Sequence, residues 1–233
     1  MCLAFIDANA SAAAKPHVIA FGKWTTVQYK ADSAAESGED KPLTLKIRPL
    51  LVDGRIKEFT FGAPHEVTER IFVVQRAFRV NDTLPQEPAL PLHWQWQRGG
   101  WLLVDRVTGR ISAVNLLEFD AVYSTVSWYR DYAAYCGVSD DDKKIYAIVA
   151  QIGRRKPVVK WQVGVTKRSE EIKSAADEQE LRAPDSGCKI AEWQRAPARV
   201  TFAPNESSKR TYVIHGHAVD LLSDEGDDEE ASK

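Results

Sequence analysis

A pair of alternating runs separated by Asp53-Gly54 constrains the fold more than any other feature of the sequence. In the first run, Leu43–Val52, apolar residues alternate with polar ones, and the second run, Ile56–Phe61, alternates in the same way. Alternation with a period of two marks a strand that has one buried face. Because Asp-Gly is a preferred turn between antiparallel strands, the sequence predicts a β-hairpin here.

Strand-like patterns continue along most of the chain, and only Leu117–Trp128 gives no clear assignment. A third long apolar run covers Glu69–Val80, and two further runs, 131–138 and 144–152, flank a turn of serine, aspartate and lysine residues. Since no helix separates successive strands, as a parallel sheet would require, the sequence predicts an all-β fold of mainly antiparallel meanders. Whether these form a sandwich, a barrel or a propeller-like fold stays open at this stage.

Two segments predict interruptions of the meanders. Gly99-Gly100 predicts a turn that splits a strand at Leu92–Gln97 from a strand at Trp101–Val104. Farther along, Ser169–Arg182 is the one good helix candidate, because its first residue can cap it and Pro184 follows its end. The fold prediction therefore includes one short helix near the C-terminal end.

The chain is interpreted as a single β-rich domain, residues 17–222, whose two flanking segments differ from it in composition. Residues 223–233 hold six acids and one lysine, a net charge of −5, in a chain whose total is −2. Such a segment cannot bury enough apolar surface to fold, so this acidic tail is predicted to be disordered. Residues 1–16 are rich in alanine and are interpreted as a leader.

The leader and the cysteines together favour export. The small residues at 9–14 resemble the neighbourhood of a signal-peptidase site, although basic residues and a long apolar segment are missing before them. Once the leader and its Cys2 are removed, Cys136 and Cys188 remain as an even pair, which is typical of a disulfide in an exported protein. We therefore expect a periplasmic or secreted bacterial protein. The alternative is a cytoplasmic protein with two buried thiols.

Two stretches resemble steps of β-propeller blades. Trp101–Arg110 has the pattern of a strand, an aspartate, a turn and a glycine, and Tyr135–Ala147 has that of a strand, a Ser-x-Asp turn and a second strand. Asp142 stands where propellers usually have glycine, and the chain shows no repeat of about 40 residues. The resemblance therefore implies blade-like hairpins. The whole chain also resembles uncharacterised exported proteins of bacteria, which implies no activity.

A basic turn is the first candidate ligand site. Arg154, Arg155 and Lys156 follow one another at a predicted hairpin turn, and Trp161 comes shortly afterwards on the next strand. Guanidinium groups beside an aromatic ring suit a phosphate or an acidic glycan. The alternative is a solvated turn that protects a sheet edge, which is a common use of lysine and arginine.

Trp94 and Trp96 form the second candidate ligand site. Residues two apart on a strand face the same side, so the two indoles can make a platform on which sugar rings stack. The alternative is that both rings belong to the core, which is the more frequent role of paired aromatics on a strand.

A third candidate site is a metal site at His215, His217 and Asp220. If this segment is a strand, both imidazoles face one side and can bind one zinc ion. The run His-Gly-His-Ala-Val-Asp resembles the metallo-β-lactamase motif, but its aspartate is one place late and a third histidine is missing. The alternative is a pair of exposed strand histidines.

Short motifs of catalysis and nucleotide binding, such as G-x-S-x-G and the Walker A loop, do not occur in the sequence. We therefore expect a non-enzymatic ligand-binding or envelope-associated protein with no cofactor, whose partner is an acidic glycan or a protein. One alternative is a hydrolase, either zinc-assisted or based on two carboxylates. Another is a structural protein that docks partners. We expect no nucleic-acid partner and no transmembrane segment.

Overall fold

A computed structural model of the chain describes residues 16–29, 43–81, 94–165, 190–205, 208–215 and 218–224. These residues form fifteen strands with connecting turns and no helix, so none of them belongs to a helix that could cross a membrane. The predicted all-β, mainly antiparallel fold class is confirmed. The leader up to residue 15, the helix expected at Ser169–Arg182 and the tail beyond Asp224 lie outside the described residues.

The first seven strands form one sheet that closes on itself. They are β1 (Ile19–Phe21), β2 (Thr25–Tyr29), β3 (Leu43–Val52), β4 (Arg55–Glu66), β5 (Ile71–Asn81), β6 (Trp94–Asp105) and β7 (Ile111–Ala113). Strands β2 to β6 pair antiparallel in chain order, and β6 returns to β2 through the parallel pair Tyr29–Trp96. We call this closed ring the barrel, together with β1, which extends it beside β3, and β7, which pairs with β6.

The hairpin predicted around Asp53-Gly54 is confirmed as β3 and β4. Both turn residues have positive φ angles, 51° and 75°, as a two-residue turn between twisted strands requires. Glycine adopts such angles freely, and aspartate is among the few other residues that tolerate them. The turn also holds the N-terminal segment, because the Asp53 carboxylate accepts the Val18 N–H and contacts the His17 ring.

The interior of the barrel is one apolar layer to which every strand of the ring contributes. Side chains from five strands of a closed ring can meet only on its inner side. The layer consists of Val27, Tyr29, Leu45, Ile47, Phe59, Phe61, Ala77 and Trp96. Where β1 and β7 extend the sheet, a second cluster forms from Leu50, Phe72, Val74, Leu102 and Val104.

The turn predicted at Gly99-Gly100 is wrong, because β6 runs unbroken from Trp94 to Asp105. The register between β5 and β6 shifts by one residue at this point, which identifies a β-bulge. A Cβ atom on Gly99 would lie 3.1 Å from the Arg76 carbonyl oxygen, so the glycine permits a close approach of the two strands. Glycines are typical of bulges as well as of turns, and the pattern alone does not separate the two.

The remaining described strands form two four-stranded antiparallel meanders. The middle sheet contains β8 (Ser127–Tyr129), β9 (Tyr132–Val138), β10 (Lys144–Gln151) and β11 (Val159–Val165). The terminal sheet contains β12 (Glu192–Arg195), β13 (Ala198–Asn205), β14 (Ser208–His215) and β15 (Ala218–Asp224). The blade-like stretch Tyr135–Ala147 spans the turn between β9 and β10, whereas Trp101–Arg110 belongs to the barrel, where it leads from β6 towards β7.

The middle sheet is buried on both faces, because successive side chains of β9 and β10 pack against different neighbours. Towards the terminal sheet it presents Tyr132, Ala134, Ala147 and Val149. Towards the segment that precedes β8 it presents Ala133, Tyr135, Ile148 and Ala150. Burial on both faces explains why these strands have nearly continuous apolar sequences rather than an alternating pattern.

The segment between β7 and β8, which the sequence leaves unassigned, is an irregular cover for the middle sheet. Asp120 organises it, because its carboxylate accepts the backbone N–H groups of Val122 and Tyr123. The Ser124 hydroxyl then donates to the Cys136 carbonyl on β9, 2.7 Å away. Bonds from side chains to backbone replace a strand ladder here, so no periodic pattern marks the segment.

Glu118 fastens this segment to the middle sheet. Its carboxylate lies 2.6 Å from the Lys160 ammonium, and its carbonyl oxygen accepts the Val138 N–H. A Cβ atom on Gly137 would lie 2.5 Å from that carbonyl oxygen, so the close approach requires glycine. Burial, together with the nearby Glu118 carboxylate, raises the pKa of the Tyr135 phenol, because both disfavour its ionised form.

An aromatic contact joins the barrel to the middle sheet. The Trp101 ring of β6 meets the Trp128 ring of β8 edge-on at 5.1 Å, and His65 of β4 stacks on the same indole at 5.6 Å. The Nε2 atom of His65 also lies 2.8 Å from the Arg130 carbonyl oxygen. These contacts place the turn between β8 and β9 beside the last residues of β4.

Candidate functional site

The parallel closure of the barrel sets two tryptophans at one end of it. Strands β2 and β6 run in the same direction, so both begin at the same end of the barrel. Trp24 comes directly before β2, and Trp94 is the first residue of β6. Both side chains are half exposed, at 49% and 53%. This end therefore offers two large ring surfaces to solvent.

Trp24 belongs to a group of rings around Arg48. The guanidinium carbon of Arg48 lies 3.9 Å from the centre of the Phe21 ring and 4.3 Å from that of Trp24. Phe21 is held in turn by Phe72 of the second apolar cluster, at a ring distance of 5.8 Å. The core of the barrel thus fixes one ring against the guanidinium, and the exposed indole provides the other.

Gly22 makes this arrangement sterically accessible. Its N–H donates to the Pro49 carbonyl at 2.8 Å, so the chain between β1 and β2 stays against the edge of β3 along which both strands pair. A Cβ atom at position 22 would lie 2.4 Å from the Pro49 ring, closer than real Cβ contacts come. Glycine is therefore required for the close approach to β3 that brings Phe21 and Trp24 to the same arginine.

Among the described residues, no carboxylate forms an ion pair with the Arg48 side chain. Partial burial lowers the pKa of its guanidinium group, because desolvation disfavours the charged form. Its Nε atom is buried and has no hydrogen-bond partner among the described residues. A charged group in this condition is stabilised when an anion approaches it.

Trp94 belongs to a second group of the same kind, around Arg79. Arg79 lies opposite Trp96 in the register of β5 and β6, and its guanidinium carbon is 5.7 Å from the Trp94 ring centre and 5.3 Å from that of Trp96. Trp96 also packs edge-on against Phe59 in the barrel interior, at 5.2 Å. The two predicted platform residues therefore divide the roles, because Trp96 joins the core and Trp94 stays exposed.

We call this set of side chains the Arg–Trp rim: Phe21, Trp24 and Arg48 on the outer face of the barrel wall, and Arg79, Trp94 and Trp96 on its inner face. Three other arginines of the barrel are neutralised by carboxylates, namely Arg70 by Asp105, Arg76 by Glu58 and Arg106 by Glu66. Among the described residues, no ion pair uses either arginine of the rim. Arg98 also lies on rings without such a pair, so the rim is distinguished by the half-exposed tryptophan beside each of its arginines.

The barrel is also the most basic part of the described chain. Its residues 16–29, 43–81 and 94–113 contain eleven Lys or Arg and five Asp or Glu, a net charge of +6. The described residues beyond 113 contain eleven and nine, a net charge of +2. The long-range field around the barrel therefore favours an anionic ligand as well.

The predicted group of Arg154, Arg155, Lys156 and Trp161 is divided by the structure. The three basic residues are exposed on the turn between β10 and β11, as predicted. The Trp161 ring instead packs in the cluster between the middle and terminal sheets, where the Arg210 guanidinium lies 4.0 Å from its centre. Trp161 therefore acts as a core side chain.

The structure describes two of the three candidate metal ligands. His215 ends β14 and Asp220 lies in β15, with His215 Nε2 4.0 Å from an Asp220 carboxylate oxygen. Both side chains are exposed, and His217 lies outside the described residues. In the described part of the chain, no three His, Cys, Asp or Glu side chains come together as a metal site would require. The zinc site stays a prediction.

Cys136 is engaged in a disulfide bond. It lies on β9, next to the segment that covers the middle sheet. The pairing of Cys136 with Cys188 stays a prediction, because Cys188 lies outside the described residues.

Sequence reasoning found Trp94 and Trp96 but missed Trp24, Arg48 and Arg79. Arg48 occupies an outward position of an alternating strand, where a cation is ordinary, and only the pairing of β1 and β2 along β3 gives it two rings. The one signal for this group in the sequence is Gly22, which lies between the aromatic residues Phe21 and Trp24. In comparisons with known proteins, neither a family model nor a curated protein sequence matches this chain.

Proposed function

We propose that this chain is a non-enzymatic ligand-binding module and that its Arg–Trp rim binds an acidic glycan. One observation carries the proposal: two half-exposed tryptophans at one end of the barrel each contact an arginine, and the described residues provide neither arginine with a carboxylate. The ligand class follows from the two kinds of group present, rings and guanidinium cations.

A sugar that bears a carboxylate or a sulfate matches both groups. The face of an indole offers a large, rigid apolar surface to the C–H side of a sugar ring. A guanidinium donates two parallel hydrogen bonds to a carboxylate, and such charge-assisted bonds are stronger than neutral ones. At Arg48 an anion would also offset the desolvation that lowers the pKa of the guanidinium.

Export to the periplasm or the exterior of a bacterium is part of this proposal. The disulfide at Cys136 supports it, because disulfides form and persist in oxidising compartments. Outside the cytoplasm, a protein with this rim meets acidic polysaccharides of envelopes and matrices far more often than it meets nucleic acids. The compartment therefore favours a glycan over a nucleic acid as the anionic ligand.

Isothermal titration with a galacturonate tetrasaccharide tests the rim. We expect W94A and R79Q each to weaken binding about tenfold or more, because the first removes a stacking face and the second a charge-assisted hydrogen bond. The methyl-esterified tetrasaccharide keeps the rings and loses the charges, so it should bind more weakly than the acid. A thermal unfolding curve of each variant confirms that the barrel remains folded.

R55Q is the matched control for these variants. Arg55 is an exposed cation of the same barrel, next to the Asp53-Gly54 turn and outside the rim. Equal losses in R55Q and R79Q would mean that net charge alone attracts the ligand, which would contradict the rim as the site. Tighter binding of single-stranded DNA than of the tetrasaccharide would replace the glycan with a nucleic acid.

A further inference from the structure

Three turns of the middle and terminal sheets lie side by side. They are residues 129–132, 151–158 and 195–198. The Ile152 N–H donates to the Asp131 carbonyl at 2.9 Å, which joins the first two turns. The Tyr129 hydroxyl lies 3.4 Å from the Arg195 carbonyl oxygen, and the Tyr129 ring stacks on Trp193 at 5.2 Å, which joins the first and third turns.

These turns concentrate positive charge. They contain five exposed cations and one acid, a net charge of +4. The acid is Asp131, whose carboxylate accepts the Gln151 side-chain amide at 2.8 Å. We call the five cations the basic turn cluster: Arg130, Arg154, Arg155, Lys156 and Arg195.

The basic turn cluster differs from the Arg–Trp rim in its chemistry. Its neighbouring rings, Tyr129 and Trp193, stack on each other, and the Trp193 indole donates to the Ser127 carbonyl at 3.0 Å. These rings are therefore occupied within the protein, and the cluster presents mainly charge to solvent. A surface of this kind attracts a chain of repeated negative charges without selecting one sugar ring.

The cluster and the Arg79 group of the rim lie near opposite ends of β5. Val73, near the start of β5, pairs with His65, which contacts the Arg130 carbonyl of the cluster, and Arg79 lies six residues farther along β5. Six residues of a strand span roughly 20 Å. A short oligosaccharide seated on the rim cannot fill both surfaces, whereas a long acidic polymer reaches both.

We propose that the basic turn cluster is a second contact for the acidic polysaccharide, so that one protein holds a long polymer at two places. The inference rests on the function proposed for the rim. When one surface is bound, the other meets the polymer at a high effective concentration, and the affinity for long chains rises without any new contact at the rim. Affinity should therefore depend on the length of the polymer.

Titration with a galacturonate tetrasaccharide and with long polygalacturonate tests this proposal. We expect R154Q/R155Q to bind the tetrasaccharide as tightly as the native protein does and to bind the long polymer about tenfold more weakly or worse. K143Q/K144Q is the matched control, because it removes two charges from the far end of the same sheet, at the turn between β9 and β10. It should leave both affinities unchanged.

Other outcomes separate the second contact from the rim. Equal losses of polymer binding in both double variants, or no loss in either, would overturn the second contact while the rim stands. If the tetrasaccharide does not bind and W94A changes nothing, the function proposed for the rim is wrong. If, in that case, binding of the long polymer still weakens in R154Q/R155Q and not in K143Q/K144Q, the cluster binds the polymer alone. This result would overturn the two-contact proposal.

Discussion

The barrel and the two stacked sheets bury their apolar side chains in different ways. The ring of strands encloses one apolar layer, and arginines contact several aromatic side chains at the surface of the barrel: Arg48, Arg76, Arg79 and Arg98. In the middle sheet a cation also lies on a ring, as Lys160 does on Tyr146, but the alanines of this sheet let neighbouring layers close on both faces. The barrel thus leaves half-exposed tryptophans, whereas the described tryptophans of the stacked sheets are less exposed.

This difference separates the roles of the two regions. The barrel keeps half-exposed tryptophans and arginines that have no carboxylate partner among the described residues, and these are the elements of a binding surface. The stacked sheets supply fully buried side chains such as Tyr135, Ile148 and Phe202, and their exposed turns contribute charge. We infer that the stacked sheets stabilise the fold and that the barrel provides the side chains that bind the ligand.

The largest expected effect is on the stacked sheets. Phe202 is fully buried between the middle and terminal sheets, so Phe202→Ala should lower the free energy of unfolding by about 3–5 kcal/mol. Leu221→Ala is the control in the same sheet, because Leu221 is half exposed and its removal should cost less than about 1 kcal/mol. Urea unfolding of both variants measures the difference, and similar values would show that the two sheets are not tightly packed.

A smaller effect is expected in the barrel at Gly22. Gly22→Ala places a Cβ atom 2.4 Å from the Pro49 ring and should destabilise the protein by about 1–3 kcal/mol, while also separating Trp24 from Arg48. Gly100→Ala is the control, because a Cβ atom there has no neighbour within 4 Å. Thermal unfolding and tryptophan fluorescence measure the two effects. A Gly22 variant as stable as native protein would mean that the close approach of residue 22 to Pro49 tolerates a side chain.

The smallest effect is a difference in acid sensitivity. Arg70 lowers the pKa of Asp105, and Arg106 lowers the pKa of Glu66, so the unfolded barrel binds more protons than the folded one as the pH falls. These ion pairs stabilise the barrel fully above the ordinary carboxyl range, near pH 4, and the stabilisation is lost as the pH falls below it. In the stacked sheets, the described carboxyl group with a lowered pKa is Asp141 in an exposed turn.

The Asp105→Asn variant tests this acid sensitivity. It should be less stable than the native protein at about pH 7 and should lose less stability on acidification to about pH 3, because the variant side chain does not titrate. Urea midpoints at the two pH values measure the change. The same loss in variant and native protein would assign the acid sensitivity to other groups.

The sequence predicts those elements that depend on residues close together in the chain. Asp53-Gly54 predicts its hairpin because the turn conformation depends on those two residues alone. The turn at Ser139–Lys143 is found for the same reason, since the Ser139 hydroxyl contacts both the Asp141 carboxylate and the Lys144 N–H. The alternating and continuous apolar runs then identify the strands between these turns.

The candidate site depends on distant contacts, and the sequence predicts less of it. Trp94 and Trp96 are visible as a pair because they share a strand. Trp24 meets Arg48 only through the pairing of β1 and β2 along β3, and Arg79 meets the tryptophans only through the register of β5 and β6. The shift of that register at Gly99 is a β-bulge that no periodic pattern records.

The number of strands in the ring has a consequence of its own. Five strands joined in chain order reverse direction at every step, and an odd number of reversals does not return to the starting direction. A ring of five strands therefore cannot be antiparallel throughout, and one pair of neighbouring strands must be parallel. Here that seam lies between β2 and β6, where a single residue pair is in register. Trp24 precedes β2 and Trp94 begins β6, so the two exposed tryptophans of the rim belong to strands that pair at one position only, along a weak line of the barrel.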